Sequence, residues 1–199
     1  MTASRRYDSS DYLAHWLETG EYPRIHRAIA EAVDLQFPYG VKLMDLGSST
    51  GLLTHQLRVL GYDMSAVEPD RAAVAAGSAV GTYGNRPILQ HPITPAELPR
   101  FQEFLATQAP YGIVARRIFP ELWTALHPAN PSPWDGDPWQ TFIQTLEDST
   151  VQGIMIEGRV WSEGKTTHPL GRVDKEIAAL GPAWKPTMIT NQIALLTRK

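Results

Sequence analysis

The pattern of apolar and polar positions changes character near residue 41. Before it, apolar residues recur at helical spacing. "DYLAHWLETG" follows Ser9 and Ser10, either of which can cap a helix, and it stops at Gly20. "YPRIHRAIAEAVDLQ" places Ile25, Ile29 and Val33 on one face of a second helix. Pro38 and Gly40 then mark a turn. From Val41 onward, short apolar runs alternate with amphipathic segments. "VKLMDL", "DMSAVEP", "PILQHPI", "YGIVARRIF" and "VQGIMIEGRV" read as strands. Between the first four lie helices over "GLLTHQLRVLG", "DRAAVAAGSAV" and "PAELPRFQEFLATQ", the last with Pro95 in its first turn. "PELWTALHPANPSPWDGDPW" reads as a surface loop, "WQTFIQTLEDS" and "GRVDKEIAALG" as helices. "WKPTMIT" and "NQIALLTR" leave no room for a crossover helix, so they should form an antiparallel hairpin.

Strands that alternate with helices imply a sheet covered on both faces. The expected fold is therefore α/β: a doubly wound, mostly parallel seven-stranded sheet with an antiparallel C-terminal hairpin. Residues 1–40 are expected as an N-terminal helical extension and candidate lid, and residues 41–199 as the main domain. Ligands on such sheets bind at the carboxyl ends of the strands, near the point where strand order reverses. That directs attention to the first strand–helix turn.

The 199 residues are enough for one domain with a full core. A net charge of −3 argues against a broad nucleic-acid-binding or membrane-binding surface. No cysteine is present, which removes disulfides, thiolate zinc sites and cysteine nucleophiles together. The six histidines are scattered without metal-ligand spacing, so no metal is expected. The N-terminal stretch lacks the apolar core of a signal peptide, and no apolar run is long enough to span a membrane. The expected location is the cytoplasm.

"VKLMDLGSSTGLLTHQLRVLGYDMSAVEPD" contains a turn of the form D-x-G-x-x-x-G, built from Asp45, Gly47 and Gly51. Ser48, Ser49 and Thr50 are small and carry hydroxyls. Glu68 ends the next strand, where a carboxylate can accept bonds from both hydroxyls of a ribose. The dinucleotide fingerprint G-x-G-x-x-G fails at Ser49 and at Leu52, and no G-K-S/T of a phosphate loop occurs. A ligand with a ribose, a positive ammonium near Asp45 and no phosphate fits better.

"VKLMDLGSSTG" followed by "SAVEPD" resembles motifs I and II of the class I S-adenosylmethionine-dependent methyltransferases. "YGIVARRIFPELW", "GIMIEGRV" and the closing hairpin resemble the fourth, fifth and last strands of that family. The specific motif covers Val41 to Asp70, and the pattern of elements covers residues 41–199. The resemblance implies S-adenosylmethionine as cofactor and S-adenosylhomocysteine as product. It implies a cofactor site with Asp45, Gly47, Ser48, Ser49, Gly51 and Glu68, and an adenine near His91 and Ile93. Two departures from the family pattern are Ser49, where a glycine is commonest, and Gly112, where many members have an aspartate.

Methyl transfer needs a nucleophile in line with the carbon–sulfur bond, and a base only if that nucleophile must lose a proton. Arg116 and Arg117 end the fourth strand with Glu121 just beyond, and His168 lies in "GKTTHPLG"; these are the candidate catalytic residues. An arginine there could hold a carboxylate or phosphate. Glu157 and Arg159 end the fifth strand in a similar position. Tyr7, Tyr12, His15, Trp16, Tyr22, Arg24 and His26 could line a lid, with core packing of the aromatics as the alternative, and Trp134 and Trp139 could form a substrate wall or a partner contact, or pack onto the domain. The amino-methyltransferase signature N-P-P-Y or D-P-P-Y is absent after the fourth strand. The expected function is methyl transfer to a small molecule or a protein side chain. A non-catalytic sensor or partner subunit that binds the same cofactor, and an aminopropyl-type transferase, are the alternatives.

Overall fold

The computed structural model describes residues 24–127, 136–158 and 172–199, together with Thr19 and Leu170. The first helix whose bounds are described, α1 (Arg24–Gln36), turns Ile29, Ala30 and Val33 inward, in keeping with the helical spacing of the sequence. The alternating part follows as β1 (Lys42–Leu46), α2 (Leu52–Val59), β2 (Asp63–Val67), α3 (Arg71–Ala79), β3 (Ile88–Leu89), α4 (Leu98–Gln108) and β4 (Gly112–Arg116). Then come α5 (Phe119–Leu126), α6 (Pro138–Asp148), β5 (Gly153–Glu157), α7 (Val173–Ala179), β6 (Trp184–Met188) and β7 (Ile193–Arg198).

The seven strands form one sheet in the order β3-β2-β1-β4-β5-β7-β6. The first five are parallel, whereas β7 pairs antiparallel with both β5 and β6. Side chains alternate between faces along each strand. Met44, Leu46, Ile113, Ala115, Ile154 and Ile156 face α4, α5 and α6 through Phe101, Leu105, Leu126, Trp139 and Phe142. Leu43, Met64, Val114 and Met155 face the other way, against Ile29, Val33 and Phe37 of the α1 region and Leu53 and Leu57 of α2. Both faces are therefore dry, which is why the central strands read as continuous apolar runs.

Four local expectations are corrected. The third strand spans only Ile88–Leu89, because pairing to β2 stops after Glu68 N–H reaches Leu89 C=O. The region after Pro120 is not all loop, since Pro120 sits in the first turn of α5, where its missing N–H costs nothing. Pro99, not Pro95, occupies the first turn of α4. Trp139 is no exposed wall: it is buried at the start of α6, and its indole N–H donates to Ala179 C=O at 3.0 Å.

The departure at Gly112 has a steric cause. Gly112 and Gly153 are register partners on β4 and β5, and the Phe37 ring lies across both. A Cβ on Gly112 would meet that ring at 2.4 Å, and one on Gly153 at 3.0 Å. Apart from Thr19, which is helical, the segment DYLAHWLETG lies outside the described residues, as do the lid residues Tyr7, Tyr12, His15, Trp16 and Tyr22 and the side chains of Arg24 and Ile25. Trp134, Arg159 and His168 also lie outside them. No helix among the described residues is long and apolar enough to cross a membrane.

Candidate functional site

Strand order reverses between β1 and β4, and the turn after β1 opens there. Gly47 N–H and Ser48 N–H both donate to Val67 C=O, at 2.9 and 3.2 Å, so the turn folds back over the end of β2. Gly47, Ser49 and Gly51 have φ of 76°, 54° and 74°. Ser49 thus keeps the left-handed backbone that a glycine would adopt freely. A side chain there costs about 1–2 kcal/mol, and hydrogen bonds offset it. Ser49 N–H donates to Glu68 Oε2 at 2.6 Å, and Ser49 C=O accepts from Tyr83 Oη–H. Ser49→Gly should therefore be tolerated, changing stability by less than about 1 kcal/mol in the favourable direction, as read by urea denaturation.

Glu68 is 8% exposed and divides its oxygens: Oε2 takes Ser49 N–H and Oε1 takes Asp70 N–H at 2.8 Å. Burial pushes its pKa up, while the two backbone N–H groups pull it down. Each oxygen keeps a lone pair. Asp70 in turn caps α3, accepting from Ala72 N–H and Ala73 N–H. Behind the turn, the fully buried Tyr83 shares a 2.9 Å bond with Ser48 Oγ, and Thr82 Oγ1 lies 2.6 Å from Thr50 C=O. The turn is braced from two sides.

Asp45, at the same end of β1, is 1% exposed and accepts from Thr54 Oγ1 at 2.6 Å. Burial, helped by the nearby Glu68, raises its pKa from the ordinary 3.8 to about 6 against the opposing Thr54 bond. No lysine, arginine or histidine among the described residues forms a salt bridge to Asp45 or Glu68. Arg116, at the end of the neighbouring β4, acts on Asp45 only through its charge and makes no salt bridge to it.

Across the switch point the balance reverses. Arg116 Nε reaches Glu157 Oε2 at 3.2 Å, and Arg117 Nε reaches Glu157 Oε1 at 3.1 Å. Glu157 is 1% exposed, while the two arginine side chains are 24% and 33% exposed. Arg117 has φ 56°. His26 of α1 borders this group. Its pKa is lowered to about 4 by burial first and then by the charges of Arg116 and Arg117.

The other sequence candidates are dispersed. Glu121 is exposed on the first turn of α5. Ile93 is buried in the larger core cluster, and His91 belongs to a surface network with Glu97 and Arg100. No hydrogen bond or ion pair among the described residues links His91 to the turn. No group of three or more metal-ligating side chains is present among the described residues.

No protein-family model matches the sequence, and no curated protein sequence matches it. Solved structures do. TehB from Haemophilus influenzae superposes with a TM-score of 0.60 at 16% identity, over 92% of this chain and 66% of that one. A TehB-like SAM-dependent methyltransferase from Corynebacterium glutamicum gives 0.55 at 15% identity, over 95% and 97%. The magnesium protoporphyrin IX methyltransferase ChlM from Synechocystis, solved with bound SAM, gives 0.53 at 11% identity, over 96% and 82%. This chain has the class I methyltransferase fold. Within that fold, the sequence pointed to the turn and its two acids but missed Thr54, Gly77, Thr82 and Tyr83. Thr54 carried one signal, a hydroxyl on the helix that follows the turn. "GTYG" reads as an ordinary loop, and only tertiary folding brings Tyr83 beneath Ser49.

Proposed function

We propose that the protein is an S-adenosylmethionine-dependent methyltransferase acting on a small molecule or a protein side chain. The observation that carries this reading is the pair of buried carboxylates, Asp45 and Glu68, flanking a left-handed turn with no salt-bridged cation. A cationic nucleoside offsets such a deficit. An anionic one, such as ATP or NAD, worsens it. The residues fit the cofactor. The free lone pairs of Glu68 suit two ribose hydroxyls, and Asp45 suits the ammonium.

Bound there, S-adenosylmethionine supplies a methyl group on a sulfonium, already activated for displacement. The chain's own part is positioning. Tyr83 and Thr82 hold the turn carbonyls in place, and Glu68 fixes the turn against β2. The carboxyl ends of β4 and β5 face the side from which an acceptor approaches.

Calorimetric titration with S-adenosylmethionine and S-adenosylhomocysteine, with ATP and NAD as controls, tests the reading. Selective binding is expected, and Glu68→Ala should weaken it by roughly 1–3 kcal/mol through unpaired ribose hydroxyls. Binding of neither compound, or equal binding of ATP, would overturn it.

A further inference from the structure

We propose that Arg116 and Arg117 form an oxyanion-binding site, and that the methyl acceptor carries a carboxylate or phosphate held there. The second half of this statement rests on the methyltransferase reading; the first does not.

The stoichiometry of charge is the starting point. Two guanidinium groups share one carboxylate in direct contact, so the contact cluster itself keeps a net positive charge, with Asp45 acting on Arg116 only from beyond salt-bridge distance. A purely structural pair would need one arginine. At Arg116 the attraction of Glu157 outweighs the repulsion of Arg117, yet one positive charge of the pair stays uncancelled by their shared acid. The geometry is equally lopsided. Both arginines use Nε on Glu157, and their four Nη groups have no hydrogen-bond partner among the described residues. The side chains are partly exposed, so those donors remain reachable from solvent. Two such forks suit an oxyanion with several acceptor oxygens.

The backbone also singles the place out. Among the described residues, Arg117 is one of three non-glycine residues with positive φ, and its N–H donates to Glu157 C=O at 2.8 Å. A long, charged side chain is thereby held in a left-handed conformation at a strand end. His26 completes the group. Its Nδ1 is buried without a partner, and the ring stays neutral at pH 7, so it offers a ring nitrogen without adding charge. Position supplies the last element. β4 adjoins β1, and the Arg116 charge is felt by Asp45. The acidic half of the switch point suits the cofactor, and the basic half lies beside it, where the acceptor must enter.

The test uses the full chain and follows arginine Nε–H and His26 ring resonances by NMR, with and without S-adenosylhomocysteine. Sodium phosphate and sodium acetate are titrated, with sodium chloride matching ionic strength. Saturable shifts confined to Arg116, Arg117 and His26 are expected. Arg116→Lys and Arg117→Lys should each weaken anion binding about tenfold, since a lysine keeps the charge on Glu157 but loses the fork. A cation against Glu157 preserves the fold, which the remaining resonances verify. Stronger binding of phosphate or of acetate identifies the oxyanion. Shifts no larger than chloride produces, or shifts that survive both substitutions, would overturn the site.

A second arm asks whether the anion is the cofactor's own carboxylate. S-adenosylhomocysteine affinity is measured in the lysine variants beside 5′-methylthioadenosine, which lacks the amino-acid tail. Unchanged affinity for both supports an acceptor anion. Selective loss of S-adenosylhomocysteine binding assigns the arginines to the cofactor and overturns the acceptor half. If the wild-type chain binds no S-adenosylhomocysteine, the methyltransferase reading fails, and the salt titration still decides the oxyanion site.

Discussion

Gly77→Ala is expected to destabilise the protein, although the substitution sits inside a helix where alanine is the better residue. A Cβ at this position would lie 2.2 Å from Thr50 C=O, 2.7 Å from Thr82 Oγ1 and 2.8 Å from the Tyr83 ring. The nearest of these is backbone, and it belongs to the turn after β1. Overpacking typically costs 1–3 kcal/mol, and a backbone obstacle puts this site near about 3. Alanine's helix propensity returns about 1 kcal/mol. The net loss of about 2 kcal/mol corresponds to a melting temperature lower by about 4–8 °C. Ser78→Ala is the control, because Ser78 is exposed one position along on α3. It should be neutral or slightly stabilising. Differential scanning calorimetry of both variants separates the clash from the propensity. The displaced Thr50 carbonyl should also loosen the turn, so cofactor affinity falls with stability.

Asp45→Asn should do the opposite to stability and the same to binding. The folded pKa of about 6 lies above the ordinary 3.8, so the folded chain holds this proton more tightly than the unfolded one. Its contribution to stability is complete below about pH 4 and is lost as pH rises through about 6. Above that window the ligand-free protein carries an ionised, buried carboxylate at a cost of about 3 kcal/mol. Asparagine removes the charge and can still accept from Thr54. The variant should therefore gain stability at pH 8 and almost none at pH 4, as read by urea midpoints across that range. Binding has the reverse sign. A ligand ammonium favours the ionised form, so wild-type affinity for S-adenosylhomocysteine should fall below about pH 6, by at most tenfold per pH unit. The asparagine variant should bind weakly at every pH, with no such step.

Where the sequence was legible, one residue type admitted one backbone solution. The D-x-G turn, the acid closing β2 and the helix between them follow from local pattern, and the structure keeps their order. The alternation of strands with helices told that the sheet is covered on both faces. Proline was the main source of error, because its two roles look identical in one dimension: Pro120 opens a helix that reads as loop. The bracing of the turn was hidden for a different reason. Tyr83 and Ser49 are 34 residues apart, and no periodicity connects them. The charge cluster was half legible. Arg116, Arg117 and Glu157 each stood at a strand end, but only the parallel register of β4 and β5, which sets Arg116 opposite Glu157, reveals that two arginines share one acid. The glycine at 112 looked like a lost functional residue until Phe37 supplied its reason.

That aromatic ring bears on how the chain can be divided. Paired glycines leave a slot across two central strands, and the ring that fills it comes from the segment ahead of β1. A shortened version starting at Val41 would keep every strand and lack the stopper for its own sheet. A version that keeps Phe37 is therefore expected to fold better than one cut at Val41, where the change in periodicity falls.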